Sequence, residues 1–265
     1  MTITHPARSG HALWVMAHPR PHSLNGTLME EGIRTLSGRY DVAASDLYAQ
    51  GFDPVLGRGD LGSAADTPGT IGEQLGDAYR NGESPEDVRR EQEKLADAEL
   101  LVLQFPLWWY GPPAILKGWL DRVLTDGFAY GDLDPELGIP RRYGDGGLVG
   151  RRALIVVTAG DDARSLGPRG VSGDLDSLLF PLTHGALWYV GIDVLDLHVV
   201  HDADGLDADG AGREVARLAA RLDGIAQERP TPLRRLRDGD YAPHRALRED
   251  ILAGRRDLGI HRREE

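Results

Sequence analysis

Residues Ala98–Leu124, AELLVLQFPLWWYGPPAILKGWLDRVL, decide the fold class. Leu100-Leu101-Val102-Leu103 is a short continuous apolar run, suited to a parallel strand buried on both faces. Pro106 and Gly111 then break regular structure around three adjacent aromatics, Trp108, Trp109 and Tyr110. Pro112 and Pro113 fit the first turn of a helix, where a missing N–H costs nothing. Ile115, Leu116, Trp119, Leu120, Val123 and Leu124 recur at helical spacing as its inward stripe. The pattern is strand, aromatic loop, helix. In an open α/β sheet, ligands bind in the crevice outside the carboxyl ends of the strands. An aromatic loop there suits a flat, conjugated ligand, and the same rings also read as core or interface filling.

Outward from this stretch the alternation continues. His11–Ala17 reads as a first buried strand, with a turn-rich loop from His18 to Gly26 and a helix from about Thr27 to Leu36 after it. That loop feeds a helix N-terminus, a ready anion site because the first N–H groups point outward. Val42–Ser45 is a weaker strand, and 50–70 reads as a long surface loop. Helices are expected over 71–80 and 85–96. The Gly- and Asp-dense stretch 125–148 reads as irregular, and such a stretch is commonly functional or mobile. Arg152–Thr158 is the fourth strand, Asp174–Val190 a helix interrupted early by Pro181, and Ile192–Val200 the fifth strand. Residues 209–227 form an amphipathic helix. Five such repeats call for an α/β doubly wound five-stranded parallel sheet with helices on both faces. This domain spans 1–228, and 229–265 is a C-terminal extension expected to pack on the body or on a dimer partner.

Composition narrows the chemistry. The net charge of −12 argues against a nucleic-acid partner. The charge is uneven: Pro230–Glu265 holds nine Arg against seven Asp or Glu, which is +2 and leaves −14 for the rest. The tail is thus less acidic than the body, and both a packed and a solvated tail fit that pattern. With no cysteine the chain has no disulfide, iron–sulfur cluster or thiolate catalysis. Met1–Gly10 has no apolar core of a secretory signal and no run approaches a membrane span, so a cytoplasmic protein without membrane insertion is expected. No G-x-S-x-G, G-x-x-x-x-G-K-[ST] or G-x-G-x-x-G motif is present, and no metal-ligating cluster stands out. Redox chemistry on such a chain would belong to a cofactor.

The run Gln104–Val123, QFPLWWYGPPAILKGWLDRV, resembles the signature loop and helix of the NAD(P)H:quinone oxidoreductase (DT-diaphorase-like) family, flavoproteins of flavodoxin-like fold. Asp46-Leu47-Tyr48-Ala49 is similar to a second family segment, and the resemblance runs from about His11 to about Gln227. It implies strand order 2-1-3-4-5, which would bring the 18–25, 105–111 and 158–173 loops to one crevice. It implies that the first loop holds the flavin phosphates: His18, Ser23 and Asn25 match, and Leu24 replaces a family Phe. Pro106, Leu107, Trp108, Trp109 and Tyr110 would contact the flavin ring, with Trp109 and Tyr110 walling the reaction site. Thr158-Ala159-Gly160-Asp161 resembles the family's T-T-G-G flavin loop, and Phe128 and Tyr130 would border the substrate.

The same resemblance implies a ping-pong cycle. NADH or NADPH passes hydride to flavin N5 and leaves, and a quinone or similar flat acceptor takes its place. FAD is expected rather than FMN, because the first loop lacks dense Ser/Thr/Gly clustering and longer relatives bind FAD; a homodimer is also expected. Alternatives on the same scaffold are an azo, nitro or flavin reductase, or a regulatory flavoprotein subunit of a membrane ion-efflux system. One departure stands out. A family Tyr and His near flavin N1 fall, without gaps, on Leu166 and Ser172. Arg164 and Arg169, in the same loop, are candidates for a fixed positive charge in their place.

Overall fold

The computed structural model describes residues 10–243 and 245–263. All but the last residue of the Met1–Gly10 segment, read as carrying no secretory signal, therefore lies outside the described residues. The centre of the fold is a parallel sheet ordered β2-β1-β3-β4-β5, with β6 also pairing β4. The strands are β1 (Gly10–Met16), β2 (Tyr40–Asp46), β3 (Leu100–Pro106), β4 (Arg152–Thr158), β5 (Asp193–Val194) and β6 (His198–Val200). The helices are α1 (Leu24–Leu36), α2 (Ile71–Arg80), α3 (Glu86–Asp97), α4 (Ala114–Val123), α5 (Leu175–Leu178), α6 (Phe180–Leu182) and α7 (Ala208–Gly224). All seven residues of β3 are buried, as a strand covered on both faces requires. Strand β3 runs on through Gln104 and Phe105 to Pro106, three residues past the apolar run. Pro106 is tolerated because it is the last residue of the strand. The fifth strand is two short pieces rather than one, with 195–197 between them outside either strand.

Side chains alternate across the sheet with period two. Leu13, Val15, Leu101 and Leu103 face one layer, built on α3 and α4 through Leu95, Leu116, Trp119 and Val123. Trp14, Met16, Val102 and Val156 face the other, where α1 and α7 bring Leu28, Leu36, Leu218 and Leu222. Each such aliphatic side chain contributes about 1.5–3 kcal/mol by leaving water. Helix α1 sits flat on the sheet because Gly32 leaves room for Trp14: a β-carbon there would lie 2.1 Å from the indole.

Two further sequence expectations change. The 50–70 segment is not merely a surface loop. It contains a 3-10 helix (Arg58–Asp66) and buries Phe52, Asp60, Leu61 and Ala64. Arg122 of α4 is the reason: it donates to Asp60 at 2.7 Å, to Asp87 at 2.5 Å and to the Asp53 carbonyl at 2.7 Å, and its guanidinium lies over the Phe52 ring. A buried arginine needs that many acceptors. The region read as one interrupted helix is three pieces: α5, α6 and a π turn (Thr183–Trp188). Pro181 lacks the N–H that would continue the ladder.

The extension lies against its own body. Thr231 N–H donates to Val194 at 2.8 Å, the Trp188 indole donates to the Arg234 carbonyl at 3.2 Å, and Leu236 is buried. Arg235 pairs with Asp145 at 3.2 Å and Arg262 with Asp176 at 3.0 Å. The extension carries a small hairpin, β7 (Tyr241–Ala242) with β8 (Ala246–Leu247). No helix among the described residues is long and apolar enough to cross a membrane.

Candidate functional site

The site lies at the carboxyl end of β1, β3 and β4, where the strand order reverses. Three loops meet there. The first is tied by its own side chains: His18 Nδ1 is 3.1 Å from Ser23 Oγ and 3.2 Å from the Arg20 amide. Ser23 caps α1, its hydroxyl accepting from Gly26 N–H at 3.2 Å and donating to the Arg20 carbonyl at 2.7 Å. This cap starts α1 at Leu24, three residues earlier than the sequence periodicity suggests. Gly26 permits the wrap, since a β-carbon there would meet the Pro21 carbonyl oxygen at 1.8 Å.

Beneath this loop is a buried polar chain. The Trp14 indole donates to Gln104 Oε1 at 2.8 Å, and Gln104 Nε2 donates to the Asn25 carbonyl at 2.7 Å. Asn25 Nδ2 then donates to Thr158 Oγ1 at 2.9 Å. Four residues of β1, β3, α1 and β4 thereby lock the three strand ends together. This changes the reading of the first loop: Ser23 and Asn25 spend their side chains inside the protein. The amides opening α1, at Leu24 and Asn25, are left as the anion donors. Sequence reasoning misses Trp14 and Gln104 as members of the site; the available signal is a glutamine interrupting an apolar strand run.

The second loop is a two-residue hairpin. Trp108 N–H donates to the Gly111 carbonyl at 3.0 Å, and Gly111 N–H returns to Trp108 at 3.1 Å. Trp109 and Tyr110 both hold left-handed backbones, φ 51° and 60°. That is the type I′ geometry, and it is costly for residues with large side chains. Trp109 stands 98% exposed, while Trp108 and Tyr110 are each 44% exposed. The Trp108 ring lies 6.5 Å from His18, which joins the first two loops, and Leu107 N–H donates to the Thr158 carbonyl at 2.8 Å, which joins the second to the third.

In the third loop Ala159 N–H donates to Val200 at 2.8 Å, and Gly160 and Asp161 come next. Ser172 Oγ donates to Asp161 at 2.9 Å and lies 3.2 Å from Tyr110 Oη, closing the ring of loops. Leu166 is buried and belongs to the apolar core. The two arginine candidates of this loop differ in their surroundings. Arg164 projects into solvent and its guanidinium is held by Asp162 at 2.5 Å. Hydrogen bonds from Arg164 and from the Ser165 amide hold the Asp162 carboxyl down at about 2, so the pair stays ionised and locally neutral. Arg169 is exposed and forms no ion pair among the described residues.

Alongside the hairpin opens an apolar cavity of about 530 Å³, walled by Tyr110, Leu120, Leu124, Tyr130, Leu182 and Tyr189. Tyr130 packs edge-on to Tyr189 at 5.8 Å, and burial followed by the nearby Asp126 charge raises its phenol pKa. Phe128 does not share this cavity. The turn closed by Gly127 N–H on the Tyr130 carbonyl (2.7 Å) sends Phe128 the other way, onto Tyr79 at 5.7 Å. Trp109 does not line it either. Among the described residues no group of side chains could hold a metal.

The donor set suits a flavin. The capped start of α1, opened by the Gly26 wrap, offers amides for phosphate. The backbone of 106–111 and the Thr158–Asp161 exit frame a flat ring. The profile of the flavodoxin-like fold family matches residues 10–222. Mouse ribosyldihydronicotinamide dehydrogenase [quinone] is 38% identical, covering 82% of this chain and 93% of its own. Guinea pig (Cavia porcellus) NAD(P)H dehydrogenase [quinone] 1 is 33% identical, covering 83% and 78%. A solved Klebsiella pneumoniae structure, provisionally assigned as a quinone reductase, superposes with TM-score 0.88 at 40% identity, over 96% of this chain and all of that one. The profile match, these identities and the crevice of three loops agree: the chain belongs to the NAD(P)H:quinone oxidoreductase family of flavodoxin-like fold.

Proposed function

We propose that this protein is an FAD-dependent two-electron reductase that draws hydride from NADH or NADPH and delivers it to a quinone or a similarly flat acceptor. One observation carries the reading most directly. The strained Trp109–Tyr110 hairpin stands over the end of β3, between the α1 amides and an apolar, tyrosine-lined cavity. When bound, the flavin would supply the transfer of a hydride from one planar partner to another. The amides of Leu24 and Asn25 would bind its phosphates, and the backbone from Pro106 to Tyr110 and from Thr158 to Asp161 would hold the ring edge. Trp109 would offer an aromatic face to each planar partner in turn, and Tyr110 and Tyr130 would exclude water from the adjoining cavity. Arg169, rather than the neutralised Arg164, is the candidate for positive charge beside the ring.

FAD is favoured over FMN because the Ser23 hydroxyl is committed to Arg20 and Gly26, which leaves the first loop few groups for a terminal phosphate. A homodimer is part of the same reading, since aromatic surface at Trp109 is exposed in the single chain. The test is the mass of the flavin released on denaturation, then steady-state turnover of the flavin-loaded protein with NADH or NADPH and a soluble benzoquinone. Released FMN overturns the cofactor assignment. Flavin reduction without quinone turnover overturns the enzyme and favours a regulatory flavoprotein.

A further inference from the structure

A second cavity, of about 490 Å³, opens where the extension crosses the broken helix 175–188, and Pro181 is in the walls of both cavities. Its lining is aromatic and cationic: Tyr143, Phe180, His184, Tyr241 and His261, with Arg142 and Arg245. The rings are pre-stacked. His184 lies nearly parallel to Phe180 at 4.5 Å and stacks at 30° on Tyr143 at 4.9 Å, and Tyr241 lies nearly parallel to His261 at 5.9 Å, with its hydroxyl 2.9 Å from His261 Nδ1.

Two polar atoms here lack partners among the described residues. His184 is more than nine-tenths buried and its Nε2 has no hydrogen bond; Arg142 Nε is buried and equally unpaired. Such atoms cost free energy unless something satisfies them. The charges are just as uneven. Asp145, Asp134, Asp240 and Asp238 each already face an arginine of the extension, namely Arg235, Arg237, Arg234 and Arg263. Among the described residues no carboxylate lines the cavity, and neither Arg142 nor Arg245 forms an ion pair. In a chain of net charge −12, this is a local excess of positive charge.

We propose that this cavity binds a planar aromatic molecule carrying an anionic group, its ring against the Tyr241–His261 wall and its anion on Arg142 and Arg245. Aromatic faces supply stacking for the ring, and guanidinium groups supply charge-assisted hydrogen bonds for the anion. Aryl carboxylates and purine nucleotides share this chemistry. The site is separate from the crevice at the strand ends and does not depend on the reductase reading.

The test is calorimetric titration of the flavin-loaded full chain with 1-naphthoate, with neutral 1-naphthalenemethanol as control and AMP as a second arm. One-site binding of naphthoate is expected, with the alcohol weaker by about tenfold or more. Arg142→Gln should weaken naphthoate by about the same factor, and so should Arg245→Gln, a rim change that leaves the buried packing alone. Trp109→Ala should leave it unchanged. Tighter AMP binding, equally sensitive to Arg245→Gln, would identify a nucleotide as the ligand; naphthoate preference identifies an aryl acid. Absence of binding by either, or binding lost in Trp109→Ala and kept in both arginine variants, overturns the proposal.

Discussion

The phenol of Tyr110 lies 3.2 Å from the hydroxyl of Ser172, which itself donates to Asp161 at 2.9 Å. This chain of oxygens ties the aromatic hairpin to the loop after β4. An exposed hydrogen bond of this kind contributes about 1 kcal/mol. Tyr110→Phe and Ser172→Ala should each raise KM for both substrates several-fold. The double variant should be no worse than either single one, because both remove the same contact. Strict additivity in the double-mutant cycle would show that the two residues do not act through each other.

Gly26→Ala addresses the phosphate end. Its β-carbon would overlap the Pro21 carbonyl, so the first loop must move off the start of α1. Flavin affinity should drop by about tenfold or more while far-ultraviolet dichroism is retained, since the loop and not the core shifts. Unchanged flavin affinity would place the phosphates elsewhere.

Trp109→Ala removes a side chain that is 98% exposed. Stability to urea should be unaltered. If the indole is the stacking face, acceptor and nicotinamide binding should both weaken by on the order of 1 kcal/mol. A change confined to one substrate would separate the two sites.

Gln104→Leu should be the most damaging of these substitutions. It strands the buried Trp14 indole N–H and breaks the bonds to Asn25. A loss of about 2–4 kcal/mol in urea denaturation is expected, with a weakened flavin site because the strand ends separate.

Acid sensitivity should come from histidine. His198 is buried, and burial first, then the Arg217 and Arg221 charges, push it down to about 3. Burial and His261 push His184 down to about 4. Both are neutral when folded and take up protons on unfolding below their ordinary value of 6.5. The unfolded state therefore binds more protons, and stability falls as pH drops from that value toward the folded ones. Each contributes up to about 1.4 kcal/mol per pH unit in that window. His198→Leu should flatten the slope of unfolding free energy against pH between about pH 6 and 4.5; an unchanged slope would put the proton uptake elsewhere.

The sheet was legible because β1, β3 and β4 are apolar runs and their helices carry clear stripes. Trp108, Trp109 and Tyr110 mark the candidate site in the sequence because aromatics rarely crowd one loop. The remainder depends on long-range partners that periodicity does not encode. Nothing in the sequence shows that the Asn25 side chain bonds to Thr158, 133 positions away, which leaves its backbone N–H rather than its carboxamide for a phosphate. Asp60 looked like loop surface until Arg122 drew it inside. Phe128 and Tyr130 are neighbours in sequence, yet a single turn sends them to different grooves.

The hairpin at Trp109 and Tyr110 also bears on any effort to make this protein more heat-tolerant. A type I′ turn is most comfortable as Asn-Gly, and each large residue held left-handed costs on the order of 1–3 kcal/mol. A search for stabilising substitutions would therefore converge on these two positions. The hardier variants it found would be those that had traded away the aromatic surface the fold strains to present.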